Sequence, residues 1–303
     1  LQNLHKLGIT SVHDMHIGTI RQLEAYRQLD QEKKLKANIL GYVNPYLLDD
    51  PQLSPYLDYV GNRFSIAGVK LFLDGAIGLH TAKLSRNYCD KNTSGILRYT
   101  TEETLDIVYK AFCHGIRDFA LHAIGDHAID QCIEVAERFK HNHGDKDVRF
   151  RVEHAELLTT NAITKMKELN IVPVPQPNFH WDIENYQERL GDFDQLVNPF
   201  SNILEAGVLL VFGSDGMPDA PMVGLHYAMN HAKYDCQKIS LEQGIEAYTL
   251  GGARLAHKEK SRGSISIGKQ ANFILLDNNP FEHTENLRNI PITQTWIDGE
   301  PLL

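Results

Sequence analysis

Four side chains that can bind a metal ion or carry a proton stand at or near the C-terminal ends of four separate apolar runs: Lys70, His122, His154 and Asp215. Imidazole and carboxylate suit Zn²⁺ and similar ions. Lys70 lies inside Val69-Lys70-Leu71-Phe72, His122 closes Asp118 to His122, His154 follows Arg151-Val152-Glu153, and Asp215 follows Phe212-Gly213-Ser214. Each has a plainer reading when taken alone. A His at a strand end is usually a hydrogen-bonded core or rim residue. Lys70 could be a snorkelling or ion-paired side chain, and Asp215 a turn or capping residue. Their succession on consecutive elements is what points to one shared site. The 15 histidines lean weakly the same way.

The elements that must position these groups alternate. Strand candidates are Ile9 to Val12, Leu35 to Val43, Ala67 to Leu73, Asp118 to His122, Val148 to His154, Ile171 to Val174 and Val208 to Phe212. Amphipathic stretches separate them. One opens at Thr101-Glu102-Glu103, with acids in its first turn. Another opens at Thr159 or Thr160, and a third at Ser240, with Gln243 in the capping-box position. Alternation of strand and helix predicts a parallel sheet, and seven repeats with no break in order favour a barrel. The rim at the strand C-termini is where a barrel of this kind carries its site. Eight strands close such a barrel. Seven are counted, so the expected fold is a (β/α)8 TIM-type barrel lacking its first strand. Leu1, Leu4 and Leu7 at helical spacing place the start of the chain inside a βα unit, with the remaining strand expected upstream. His13 and His16 follow the first strand candidate and read as loop residues. The barrel is expected over 1–258. Residues 259–303, with strands over Ser264 to Lys269, Ala271 to Leu276 and Thr293 to Ile297, are expected to form a C-terminal β-sandwich segment.

Composition narrows the class. Of the 303 residues, 42% are hydrophobic and 23% charged, ordinary values for a globular chain. The net charge of −9 and the absence of a basic patch argue against a nucleic-acid partner. No apolar run is long enough to span a bilayer. The first residues do not read as a secretory signal, and the four cysteines include no CxxC pair. A cytoplasmic protein with free thiols is expected.

Several segments resemble, in order, the motifs of amidohydrolase family 3 (YtcJ-like) in the amidohydrolase superfamily. Gly68-Val69-Lys70-Leu71-Phe72-Leu73-Asp74-Gly75-Ala76 resembles the family's VKxFxDGA segment. Leu121-His122-Ala123-Ile124-Gly125-Asp126 resembles its HAIGD motif, Arg151-Val152-Glu153-His154-Ala155 its RIEHA motif, and Phe212-Gly213-Ser214-Asp215 its FGSD motif. Tyr248 to Ala253 and Gly263 to Phe273 are similar to its C-terminal signatures. The resemblance implies that His122 and His154 are metal ligands, and that Asp215 binds metal and shuttles the proton. It also implies that Lys70 falls where superfamily members carry a carboxylated, metal-bridging lysine. The implied cofactor is a divalent metal, zinc above others, as one or two ions. His80 stands where family members commonly carry Arg and is expected to face a small-molecule substrate. His180 and Trp181, after the sixth strand candidate, are expected to line the pocket.

There are departures. The superfamily's HxH pair has no counterpart near the start of the chain; His141-Asn142-His143 has the spacing but reads as solvated loop. The implied reaction is hydrolysis of a non-peptide amide or other C–N bond by activated water. A second reading is a catalytically incomplete scaffold that needs the missing strand, with an exposed barrel seam inviting a homodimer. A third is a metal-free hydrolase using Glu153 and Asp215 as paired carboxylates. It leaves the strand-end histidines unexplained.

Overall fold

The computed structural model describes residues 1–144, 148–216 and 219–302, and backbone alone over 181–185. Six parallel strands form one curled half-barrel sheet in chain order: β1 (Ser11–Ile17), β2 (Asn38–Val43), β3 (Phe64–Phe72), β4 (Asp118–Ala123), β5 (Arg149–His154) and β6 (Val172–Val174). Period-two alternation divides their side chains. Val69, Leu71, Phe119, Leu121, Phe150 and Val152 are buried in the main core on the helix-covered face. Lys70, His122, Arg151 and Glu153 occupy the alternate positions. Gly68 is required where β3 passes closest to its neighbours. A Cβ there would stand 2.4 Å from the Asp118 carbonyl oxygen and 2.6 Å from the Tyr42 ring.

The helices begin where their caps say they should. Thr100 and Glu103 form a reciprocal capping box on Thr101–Cys113, and Ser240 and Gln243 do so on Leu241–Tyr248. The Thr159 hydroxyl accepts from the Ala162 N–H at the start of Thr160–Glu168.

Three expectations are corrected. Among the described residues the barrel sheet has six strands, because Val208 to Phe212 forms none. That run is apolar throughout, which is why it reads as a strand, and all of it but Leu209 is buried. Its neighbour β6 is flanked and interrupted by Pro173 and Pro175, which have no N–H to donate. What remains is a single acceptor bond, Gly213 N–H to the Pro175 carbonyl. The first strand also runs further than its apolar core, so His13 and His16 lie within β1 and not in a loop.

The C-terminal part is one antiparallel three-stranded sheet, β7 (Phe273–Leu276), β8 (Ile292–Ile297) and β9 (Glu300–Pro301), where a sandwich was expected. Residues 264–269 are irregular with Ile265 and Ile267 exposed, since no described strand lies beside them to pair. Leu276 and Ile292 of the sheet pack on Met222, Leu225 and Leu241 of two helices. The Thr295 hydroxyl donates to the His5 carbonyl at 2.6 Å, tying the sheet to the start of the chain.

Candidate active site

Beneath the rim, a buried polar knot crosses the concave face of the sheet. Arg151 on β5 is ion-paired with Glu153 through Nε and through Nη2 at 3.1 Å. Its Nη1 donates to the Tyr42 hydroxyl on β2 at 3.1 Å and to Nδ1 of His13 on β1 at 2.8 Å. One guanidinium thus holds β1 and β2 against β5. Burial, and then the Arg151 charge, push the His13 pKa down to about 3, so its ring accepts as a neutral imidazole.

The two histidines of the rim come together above this knot. The His122 and His154 rings are 4.3 Å apart, edge to face. Alternation alone would not deliver His154 there. Arg151 and Glu153 take the inward positions of β5, so the next residue but one from Val152 should face the helices with Phe150 and Val152. His154 has φ +71° and Ala155 φ +44°, left-handed values that L residues seldom adopt. The broken alternation turns the His154 ring back to meet His122. Asp215, with φ +54°, is also left-handed, and its carboxylate reaches within 3.9 Å of His154 Nε2. Strain of this kind persists only where surrounding structure fixes it, and it gathers at functional sites.

Each ring is oriented by a second partner. His122 Nε2 donates to the Gly75 carbonyl at 3.0 Å, which leaves its buried Nδ1 as the lone-pair nitrogen with no partner. His154 Nδ1 donates to Gln176 Oε1 at 2.6 Å, and Gln176 is itself fixed by Nε2 donating to the Val174 carbonyl at 3.0 Å. His154 therefore offers Nε2. Burial holds both pKa values down to about 3, with His154 and Lys70 adding to the effect at His122, and Lys70 at His154. Both rings are neutral at pH 7, the form that binds metal.

Asp74 sets the position of Gly75. It is fully buried and accepts from the backbone N–H groups of Lys83, Ile124 and Gly125 at 2.9, 3.1 and 2.9 Å. Those bonds lash the end of β3 to the end of β4. Burial still pushes its pKa up to about 7. Gly125 allows the approach: a Cβ there would lie 2.0 Å from the Lys83 carbonyl oxygen.

Lys70 is buried beside this pair, its Nζ 4.8 Å from the Phe72 ring centre. Burial lowers its pKa to about 8, with Glu153 opposing, so an uncharged amine is accessible near neutral pH. Two of the remaining expected residues are held elsewhere in their contacts. His80 is hydrogen-bonded to Asp90 at 2.8 Å and packs edge-on against Tyr88. His180 is buried and stacked on Phe200 at 5.0 Å. The Trp181 side chain lies outside the described residues.

The donor set fits a divalent ion in kind: two neutral imidazoles, one with a buried nitrogen that has no partner, a nearby carboxylate and a buried amine. In number it stops short. Among the described residues, no three His, Cys, Asp or Glu side chains stand close enough to hold a metal ion.

Comparison with known proteins agrees with this chemistry. A family model described as the amidohydrolase family matches residues 1–303. The putative amidohydrolase YtcJ of Bacillus subtilis is 30% identical over 262 residues, covering 81% of this chain and 47% of the relative. An N-substituted formamide deformylase of Arthrobacter pascens is 25% identical, covering 97% of this chain and 57% of its own length. The crystal structure of a metal-dependent hydrolase from Pyrococcus horikoshii is 32% identical with a TM-score of 0.84, over 94% of this chain and 59% of that one. The chain spans about half the length of these relatives. No described helix is long and apolar enough to cross a membrane.

Proposed function

The chain belongs to the amidohydrolase family, and from that premise we propose that it forms the larger part of a metal-dependent hydrolase acting on an amide or other C–N bond outside peptides. The observation that carries this reading is the pair of facing, neutral, separately oriented imidazoles at 4.3 Å, one of them held there by left-handed backbone. His122 through Nδ1 and His154 through Nε2 would hold a divalent ion, zinc being the best match to imidazole and carboxylate, with Asp215 and Lys70 completing one or two sites. Such an ion, when bound, lowers the pKa of water toward ~7 and polarises a carbonyl.

The chain's own residues supply the rest. Asp215, whose side chain is 53% exposed, can take a proton from the attacking water and pass it to the leaving nitrogen. Gln176 and the Gly75 carbonyl fix which nitrogen each imidazole presents. Residues 1–258 carry the barrel and this rim, and residues 259–303 the appended sheet.

A second reading rests on the ligand count. Among the described residues the two imidazoles have no third ligand group beside them, and in this reading the chain is a catalytically incomplete scaffold that needs further residues to close the site. Among the described residues β1 is an edge strand of the sheet, and in this reading a second copy docks along it. Assay of N-substituted formamides with the chain as it stands, with and without added Zn²⁺ or Mn²⁺, separates the two. The first reading predicts metal-dependent turnover that Asp215→Asn lowers by about 10²-fold or more, the ordinary worth of a general base. Turnover indifferent to metal and to Asp215 would remove it.

A further inference from the structure

A cavity of about 220 Å³ opens at the N-terminal ends of β2 to β4, lined by Leu40, Ser65, Ala67, Asp118, His257 and Lys258 among others. Asp118 begins β4, four residues before His122, which puts the cavity roughly 13 Å from the histidine pair at the usual strand rise. Arg151, in register with Ala120, stands in the layer between the two. This end of a barrel ordinarily carries stability and not chemistry, so a buried group without a partner is unexpected there.

Asp118 is that group. It is 7% exposed, its Oδ1 is buried with no hydrogen bond, and among the described residues it makes no ion pair. The arginines around it are committed elsewhere. Arg149 is its neighbour in register on β5. Its Nη1 donates to the Arg254 carbonyl at 3.0 Å and to the Leu255 carbonyl, and its Nη2 to His257 Nδ1 at 3.3 Å. Arg117 Nη1 donates to the Phe112 and Ile116 carbonyls, each at 2.9 Å, and its guanidinium lies over the Phe112 ring. Arg151 is held by Glu153, Tyr42 and His13. On β3 the residue in register is Gly68, which has no side chain to offer. A buried carboxylate left this way costs free energy until something donates to it. Burial pushes its pKa up to about 6, against the Arg151 and Arg149 charges.

We propose that this cavity binds a free aliphatic α-amino acid, with its ammonium on Asp118 and its carboxylate on Lys258. An ammonium brings three donors and a charge, which suits a carboxylate with a bare oxygen. Lys258 is exposed to solvent and lines the same cavity, a cation for the other end of the ligand. Leu40, Ala67 and Ala256 give the cavity an apolar wall. Its volume, below that of a drug-sized pocket, suits one free amino acid. The site is independent of the metal chemistry at the rim.

The test is calorimetric titration of the chain, and of Asp118→Asn and Lys258→Met, with leucine, isoamylamine and isocaproate. The two analogues keep the leucine side chain and lack in turn the carboxylate and the amine. Leucine should bind at least ~10-fold more tightly than either, about the worth of one charge-assisted contact. Asp118→Asn should remove its advantage over isocaproate, and Lys258→Met its advantage over isoamylamine. Lys258→Met alters an exposed side chain, so it reads the site even where Asp118→Asn fails to fold. No binding of leucine, equal binding of the three probes, or an advantage that survives either folded variant overturns the proposal, and leaves the cavity to water.

Discussion

Glu153→Leu is expected to destabilise the chain by about 3–5 kcal/mol, because it strands the Arg151 guanidinium in the barrel interior without its counter-ion. Arg151 is one of the largest fully buried side chains in the molecule. Tyr42 and His13 hold its other arm, but both are neutral partners and cannot offset a buried charge. The matched double variant, Arg151→Met with Glu153→Leu, removes both charges and should recover most of the loss. Urea denaturation of the three chains checks this. A single variant within about 1 kcal/mol of the parent would mean that water already reaches the knot. It would also end the account of β1 and β2 being braced against β5.

Gln176→Leu is expected to weaken metal binding by about 10–100-fold, the usual cost of losing the group that orients a ligating imidazole. Gln176 Oε1 is what directs the His154 Nδ1 hydrogen away from the site and leaves Nε2 facing Asp215. Gln176→Glu keeps an acceptor at the same place and should retain most of the affinity. Competition for Zn²⁺ against a coloured chelator reads the effect directly. A purely structural role for Gln176 would lower the melting temperature of both variants and leave the affinity of the folded fraction unchanged.

Much of the barrel was legible because its signals are local. Continuous apolar runs alternating with capped helices require a parallel sheet, and β2 through β6 fall close to where those runs lie. The rim positions of His122 and His154 were legible for the same reason: each ends a run. What escaped the sequence is set by tertiary contact. Nothing near Gln176 marks it as a partner for a histidine 22 residues earlier. His13 read as a loop residue because its strand turns polar there, and only Arg151, 138 residues away, explains why a His belongs on that wall. The left-handed backbone at His154 is invisible in Glu153-His154-Ala155, where no glycine advertises it. Val208 to Phe212 is the opposite case. Its apolar pattern is that of a strand, but the ladder depends on donors that the prolines of the neighbouring strand do not have. The exposed isoleucines at 265 and 267 read as strand for a similar reason: alternation reports a tendency, and pairing needs a partner.

Elemental analysis of the purified chain beside the His122→Ala, His154→Ala double variant asks whether these two imidazoles hold a divalent ion. About one or more equivalents of zinc, manganese or iron in the parent, absent from the double variant, is the predicted result. A parent chain that carries no metal as purified and none after incubation with Zn²⁺ would contradict the claim, and would leave the paired imidazoles as a scaffold for ligands supplied from elsewhere.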